Sequence, residues 1–551
     1  MRIQKISVDN YRVLQNFTLE IDGQERAELS KTYKIDLIVG VNGTGKSTLI
    51  HLLAELFQRL ANPYQPPLFT FSLTYTLQSG MDQTQTITIS NDDEKRREAL
   101  AEGQTLEQAE QYYCQLDQAP ATLVPTIEKQ YLPNYVVVFS SGNQNGWELD
   151  ETWANEIGSS VKIPEPDDPA AADKLITLYQ QEMAASTQSQ TATSQRETIS
   201  DDRFLFIKNN HLPLIILCGL LADMRYKNSE QQTESILDDA LQETRIKALH
   251  GFSLRFSKQA ATEAGDADLI QQLSELATYT VRYDPDGNEQ LLFFELFTDE
   301  EQPCIDTDRI QQLLDLRGGL ALEFFRALNR LCQPESAGTE PLLQDIHLFF
   351  DRSKKSDQNN DQANMIVSME EREPLHRLDW LSDGELSFLG RLSLFSLLRD
   401  SEALVLLDEP EVHFNDYWKH QLVARLDRSL RNSYSHVIMT THSSITLSDV
   451  FQTDIHVLKR NGTFTDHAEP PNLNTLGTDP SDIIMSVFGA ESATGAYGTE
   501  YIQQQIREIR DFKSAQERYG RFTTLAKNIG PGPLRYLVYR ERLAAENELN
   551  S

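Results

Sequence analysis

At 551 residues the chain is too long for one simple core, and two or three structural units are expected. Apolar content of 39% with 24% charged residues describes a globular protein, and its longest strongly apolar stretch, residues 212–221, falls far short of the ~20 residues that span a bilayer. A net charge of −33 disfavours a protein that coats nucleic acid over its whole surface, so any such contact needs a local basic patch.

The first six residues, Met1-Arg2-Ile3-Gln4-Lys5-Ile6, lack a signal-peptide apolar region. Alternating apolar positions through Ile3, Ile6, Val8, Tyr11, Val13, Leu14, Phe17, Leu19 and Ile21 predict an antiparallel pair. Lys34-Ile35-Asp36-Leu37-Ile38-Val39 then reads as a buried strand, and the run from Thr48 to Phe57 has helical periodicity. Between them stands Gly40-Val41-Asn42-Gly43-Thr44-Gly45-Lys46-Ser47, a glycine-rich turn between strand and helix in the phosphate-loop pattern. Glycines let the backbone aim its N–H groups at phosphate oxygens, and the helix N-terminus adds its positive dipole end. Lys46 is suited to the β- and γ-phosphates and the Ser47 hydroxyl to Mg²⁺, with Asn42, Gly43, Thr44, Gly45 and Thr48 completing the ATP-binding turn.

A hairpin is expected over residues 68–90 with its turn at Ser79-Gly80, then a polar helix over 93–116. Tyr135-Val136-Val137-Val138-Phe139 is another buried strand, running into the polar loop Ser140-Ser141-Gly142-Asn143-Gln144. From 145 to 364 the character changes to a mostly helical insertion. It holds a low-complexity stretch over 184–200, a buried helix near 211–224 and an acidic helix near 229–249. A hairpin around Asp284-Pro285-Asp286-Gly287-Asn288 and a long helix near 307–333 complete it, with none of the sustained heptads of a coiled-coil arm.

Three further motifs follow. Leu381-Ser382-Asp383-Gly384-Glu385 opens a helix, and Ser382 with Glu385 fits a capping box; the same Ser and Gly at a helix start also suit an anion. Leu404-Val405-Leu406-Leu407-Asp408-Glu409-Pro410-Glu411 is an apolar strand ending in acids, where α/β sheets collect ligands. Asp408 there can hold Mg²⁺ and Glu409 can orient and deprotonate an attacking water. Val437-Ile438-Met439-Thr440-Thr441-His442 is a third such strand, and His442 can hydrogen-bond a γ-phosphate. The tail, 466–551, reads as helices broken at Gly530-Pro531-Gly532; its stretch 501–545 carries nine Lys and Arg against four Asp and Glu, a mixed solvated helix pair or a basic patch. Cys114, Cys218, Cys304 and Cys332 form no Cys-x-x-Cys pair, which argues against a zinc site or disulfide framework and for a reducing cytoplasm.

Taken together, GVNGTGKS, LSDGE, LVLLDEPE and TTHSS resemble the ATP-binding-cassette (ABC) ATPase head, in the soluble branch that includes the RecF, SMC and OLD proteins. The resemblance implies an α/β fold, a mixed sheet with an antiparallel subdomain, in two head lobes (1–144 and 365–465) split by the insertion (145–364). It further implies ATP and Mg²⁺ as cofactors and a head-to-head dimer sandwiching two ATP molecules. Ser382, Asp383 and Gly384 would contact ATP in trans, with Lys46, Ser47, Asp408, Glu409 and His442 acting in cis and Gln144 as a further metal contact. Departures are Asp383 where the signature often has Gly, Glu385 for Gln, and Glu411-Val412-His413-Phe414-Asn415 where relatives often read E-x-H-L-H. No Asp-x-Asp of a Toprim nuclease is evident after residue 442. The motif forms look like the ATPase subunit of Septu-type antiphage systems (PtuA), including the retron-encoded version. That family implies a separate HNH nuclease partner and, beside retrons, a reverse transcriptase with its RNA–DNA. A RecF-like repair ATPase, an ATP-locked scaffold with negligible turnover and, weakest, a transporter's ATPase subunit are the alternatives.

Overall fold

A computed structural model of the chain describes residues 1–21, 32–62, 66–78, 84–100, 111–142, 203–227, 235, 237–257, 264–282, 289–297, 305–333, 340–352, 375–399, 401–431, 433–490, 492 and 494–550. Two units are distinguished, Met1–Pro470 and Pro471–Ser551. In chain order the first opens with β1 (Arg2–Tyr11), β2 (Leu14–Glu20), β3 (Lys34–Val39), α1 (Lys46–Ala61), β4 (Phe71–Gln78), β5 (Thr84–Ser90), α2 (Asp93–Glu98), β6 (Tyr112–Leu116), β7 (Thr122–Val124) and β8 (Tyr135–Ser140). Next come β9 (Phe204–Ile207), α3 (Leu212–Lys227), α4 (Asp238–Glu243), β10 (Ile246–Ser257), α5 (Ala264–Leu276), β11 (Tyr279–Arg282), β12 (Glu289–Glu295), α6 (Thr307–Asp315), α7 (Ala321–Leu331), β13 (Leu343–Arg352) and β14 (His376–Arg377). It ends with α8 (Asp383–Leu397), β15 (Ala403–Asp408), α9 (Asp416–Leu430), β16 (His436–Thr440), α10 (Ser444–Leu447), β17 (Ile455–Leu458) and β18 (Thr465–Glu469).

The main sheet runs β7-β6-β5-β4-β1-β2-β18-β17-β3-β16-β15-β8-β9. From β17 to β9 every pairing is parallel. Strands buried on both faces must be apolar throughout, and all six residues of β15 and all five of β16 are buried. From β7 to β2 the pairing is antiparallel, so the alternation at the N-terminus and the 68–90 hairpin are strands as expected. Of the stretch expected as a helix over 93–116, the described residues hold the short helix α2 and, in the last five positions, β6, which buries Tyr112 and Cys114.

Alternate residues of the parallel strands face different layers. Val136, Val138, Leu404, Leu406 and Ile438 pack with Leu49, Leu52, Leu53 and Leu56 of α1. Phe139, one position on, carries the Arg391 guanidinium of α8 over its ring at 3.8 Å, on the opposite face. Helix α8 is buried from Ser387 to Leu397 and lies against α3 at very close range: a Cβ on Gly219 would come 2.6 Å from the Ser393 carbonyl oxygen. Helix α3 is the longest apolar run, and it packs on α6, α7, α8 and β13. Among the described residues no helix is long and apolar enough to cross a membrane.

The insertion, read from sequence as mostly helical, carries α3 to α7 among its described residues and also the strands β11-β12-β10-β13 of a second, antiparallel sheet, to which β14 of the following lobe adds an edge. Its inner face is a packed aromatic layer in which Phe252 stacks on Phe294 at 4.5 Å beside Leu254, Phe256, Leu348 and Phe350. The acidic helix expected to 249 stops at Glu243; Arg245 turns with φ 56° and β10 begins. The single long helix expected near 307–333 is two helices, broken where Gly318 and Gly319 both take positive φ. The low-complexity stretch 184–200 and Cys304 lie outside the described residues.

The second unit comprises α11 (Pro480–Ser486), α12 (Ala496–Arg510), α13 (Ala515–Lys527) and α14 (Pro533–Asn550). Ile502, Ile506 and Ile509 of α12 repeat at helical spacing and pack on Phe522, Leu525 and Val538. The Gly530-Pro531-Gly532 break separates α13 from α14, as expected.

Candidate functional site

Parallel register sets up the site before any ligand is considered. Asp408 is the last residue of β15, and it sits level with Ser140 of β8 on one side and Thr440 of β16 on the other. Both hydroxyls donate to its carboxylate, Thr440 Oγ1 at 2.7 Å to Oδ1 and Ser140 Oγ at 3.2 Å to Oδ2. Ser47 Oγ, from the first turn of α1, donates to Oδ1 at 2.9 Å across 361 residues of sequence. The phosphate loop and the acid-bearing strand therefore meet.

The loop itself has the local chemistry of an anion cradle. Gly43 and Gly45 adopt φ of 81° and 96°, backbone states that side chains resist. Gly45 is the N-cap of α1 and supplies no side-chain cap, so no side chain competes for the N–H groups of the first turn. Thr44 is buried and braces the turn through Oγ1 on the Val41 carbonyl at 2.9 Å, while Asn42 and Gly43 are exposed. Lys46 is 5% exposed; its Nζ donates to the Gly40 and Val41 carbonyls at 3.1 and 3.4 Å. Burial lowers the Lys46 pKa, and the nearby Glu409 and Asp408 charges oppose that shift. Thr48 follows on α1, half-buried. Arg460, which the sequence reading did not single out, donates from Nε to the Gly43 carbonyl at 3.0 Å.

Glu409 is held in a left-handed backbone conformation, φ 49°, which costs a non-glycine residue on the order of 1–3 kcal/mol and persists only where neighbours over-determine it. They do. Its N–H donates to Thr440 Oγ1 at 3.0 Å, and its carbonyl accepts from Ser141 Oγ at 2.8 Å. The side chain thereby meets His442, with Oε1 3.2 Å from Nε2. Burial lowers the His442 pKa, the Lys46 ammonium adds to the effect, and the carboxylates of Glu409 and Asp408 oppose it. The net result is a neutral ring at pH 7, suited to donate from Nε2 to Glu409.

Ser382, Asp383 and Gly384 stand elsewhere. Ser382 caps α8, and the capping box is formed: the Glu385 N–H donates to Ser382 Oγ at 3.3 Å, and the Ser382 N–H donates to Glu385 Oε2 at 2.9 Å. Ser382 and Asp383 are exposed, and no hydrogen bond joins any of the three to residues 40–48 among the described residues. Helix α8 covers the sheet face opposite α1, and its C-terminus leads directly to the start of β15, so its N-terminus points toward the strand ends that carry Asp408. Gln144 lies outside the described residues.

The donors fit Mg²⁺. Ser47 and Asp408 offer hard oxygens, and no group of three or more His, Cys, Asp or Glu side chains suits a metal among the described residues. One carboxylate plus substrate phosphates is how Mg²⁺ is usually held, in contrast to a protein cage.

A glycine-rich loop after one strand, with acids and a histidine after its parallel neighbours, is the arrangement of a P-loop ATPase. Comparison with known families agrees on the activity: residues 1–258 match the model described as "AAA ATPase domain", and residues 324–449 match "AAA domain, putative AbiEii toxin, Type IV TA system". The chain is an ATPase, and ATP is the nucleotide its class binds. No curated protein matches. Solved structures similar in outline include the SMC head domain from Thermotoga maritima, 10% identical, covering 86% of this chain and 100% of that one with a TM-score of 0.31. Another is the Smc head with an extended coiled coil bound to the C-terminal domain of ScpA, from Pyrococcus furiosus, 10% identical, covering 84% and 95% with a TM-score of 0.31.

Proposed function

We propose that the chain is the ATP-hydrolysing regulatory subunit of a cytoplasmic bacterial antiphage complex of the Septu type, acting through an ATP-dependent head-to-head dimer on a partner HNH nuclease. The observation that carries the ATPase part is the meeting of Ser47 with Asp408 at 2.9 Å, beside the Glu409–His442 pair at 3.2 Å. In this reading Lys46 and the N–H groups at the start of α1 bind the β- and γ-phosphates. Ser47 and Asp408 hold Mg²⁺, which supplies charge neutralisation of the phosphates when bound. Glu409 accepts the proton of the attacking water, and His442 orients Glu409 and reads the γ-phosphate.

The dimer follows from Ser382. An exposed serine and a half-buried glycine at a helix N-terminus, on the sheet face opposite α1, suit a phosphate that another copy presents. Residues 1–144 and 365–465 would act as the two head lobes, with 145–364 and the helical tail, 466–551, as surfaces for assembly, the nuclease and, in a retron setting, the reverse transcriptase and its RNA–DNA. Support for a defence setting comes from the motif forms and from the second matched family, whose description names a toxin of a toxin–antitoxin system.

The Glu409→Gln variant keeps the shape of the side chain and removes its basicity. It is expected to retain ATP binding while hydrolysis slows about 10²-fold or more. Single-turnover hydrolysis measured beside ATP affinity checks this; a wild-type rate would remove Glu409 from the role of base.

A further inference from the structure

Glu411 has no part in the reading above, yet it is buried between the two loops that carry the reacting groups. It lies two residues beyond Glu409 and is 5% exposed. Its Oε1 accepts from the Thr441 hydroxyl and, at 3.3 Å, from the His442 N–H. Its other oxygen, Oε2, is buried without a hydrogen-bond partner. A carboxyl group is costly to bury with one oxygen unsatisfied, of order 1–3 kcal/mol, so a position that tolerates it is paid back in geometry. Thr441 Oγ1 in turn accepts from the Ser443 N–H at 2.9 Å, which fixes the bend of the chain at His442. Burial raises the Glu411 pKa, partly offset by those bonds, in the direction of a neutral acid.

The same short loop reaches the signature helix. Phe414 N–H donates to the Glu411 carbonyl at 3.0 Å, and His413 turns with φ 73°. A Cβ on Gly384 would stand only 3.2 Å from the His413 carbonyl oxygen, so the start of α8 rests directly on this loop. One loop thus carries Glu409 at its beginning, the His442 clamp at its middle and the support of Gly384 near its end.

We infer that Glu411 is a positioning residue for hydrolysis: its carboxyl group clamps the main chain at His442 so that the imidazole meets Glu409, and through His413 it joins that pair to the N-terminus of α8. This rests on the proposed roles of Glu409 and His442. A residue that acts only by placing His442 has no further effect once the imidazole is gone, and it leaves the phosphate loop, and hence nucleotide binding, unchanged.

The test is steady-state ATP hydrolysis by the full chain, with kcat and KM measured separately. Glu411→Ala is expected to lower kcat about 10-fold or more with KM within about twofold, and Glu411→Ala combined with His442→Ala to be no slower than His442→Ala alone. Glu411→Gln, which retains the acceptor oxygen, is expected to keep kcat within about threefold of wild type. Thr441→Val removes the donor from the other side and reports on the same bond if the alanine variant is poorly folded; its kcat falls too. Unchanged kcat in Glu411→Ala and Thr441→Val overturns the inference, as do losses that multiply in the double variant or a glutamine variant as slow as the alanine one. If Glu409→Gln hydrolyses ATP normally, the reading of the site has failed; if that variant is inactive and Glu411→Ala is not, only the clamp has failed.

Discussion

Single residues here are tied by partners far away in sequence. Asp36, in the strand before the phosphate loop, is fully buried and lies 2.7 Å from His436 Nε2 and 3.0 Å from His456 Nε2. Ile3 N–H donates to His436 Nδ1 at 3.0 Å, so Nδ1 is the acceptor and Nε2 carries the proton toward Asp36. Burial alone would raise the Asp36 pKa; the two histidine hydrogen bonds outweigh it and hold the carboxyl well below its usual range. Burial likewise lowers His436, against the pull of Asp36. His51, on α1, is lowered from 6.5 to about 3 by burial and by the charge of Arg12. His436 and His51 bind fewer protons folded than unfolded, so their contribution to stability is complete above pH 6.5 and shrinks as pH falls. Asp36 adds a second loss below its ordinary value of 3.8. Urea unfolding midpoints are expected to fall steadily from pH 6.5 to pH 4, and His51→Gln to make that slope shallower. A midpoint that rises on acidification would contradict the assignment.

At the residue scale the sequence was readable where chemistry forces neighbours to stand together. A phosphate cradle needs its glycines, lysine and serine on one turn, and a metal-binding acid needs the end of a strand, so Lys46, Ser47, Asp408 and Glu409 declare themselves in short motifs. Asp36 and His436 are separated by 400 residues, and each looks like an ordinary strand residue until the sheet is assembled. Ser140 and Thr440 belong to the same class, because only register reveals that they flank Asp408. Glu411 stood inside a recognised motif, but nothing in its spacing said that its carboxyl group turns inward.

Elements were legible where one period dominates. Strands β3, β8, β15 and β16 are short apolar runs, and α1 and α3 are helical throughout. The sheet within the insertion was hidden in sequence because its strands are half-buried and broken by polar residues, as in β13, where Phe350 is buried and its neighbour Phe349 is not. The α3–α8 contact shows how tightly α8 is seated. Alanine is normally the better helix former by about 1 kcal/mol, yet at Gly219 its methyl would press on Ser393 main chain at 2.6–2.8 Å. Gly219→Ala is therefore expected to destabilise the fold by about 1–3 kcal/mol in spite of the propensity gain. Equilibrium denaturation measures it, and a neutral or stabilised variant would mean that α3 and α8 are free to separate.

On the scale of the whole molecule, the proposed function divides one reaction between two surfaces of each chain. The phosphate loop and its acids lie on the α1 side of the strand ends, and the capped N-terminus of α8 comes from the opposite sheet face. Ser382 keeps its hydrogen bonds with Glu385 and is exposed, while Gly384 is half-buried against the His413 carbonyl. In the proposed dimer a second copy, turned head to head, would bring those two surfaces together, and the symmetry would then provide the site twice. The most direct measurement mixes two inactive variants, Lys46→Ala and Ser382→Arg. Each alone spoils both sites of its dimer, whereas a mixed dimer pairs the intact lysine of one chain with the intact serine of the other. Equal mixing is expected to restore about a quarter of the wild-type ATPase rate. Mixed dimers that form, by co-purification of differently tagged chains, and hydrolyse no ATP would contradict a site shared between copies.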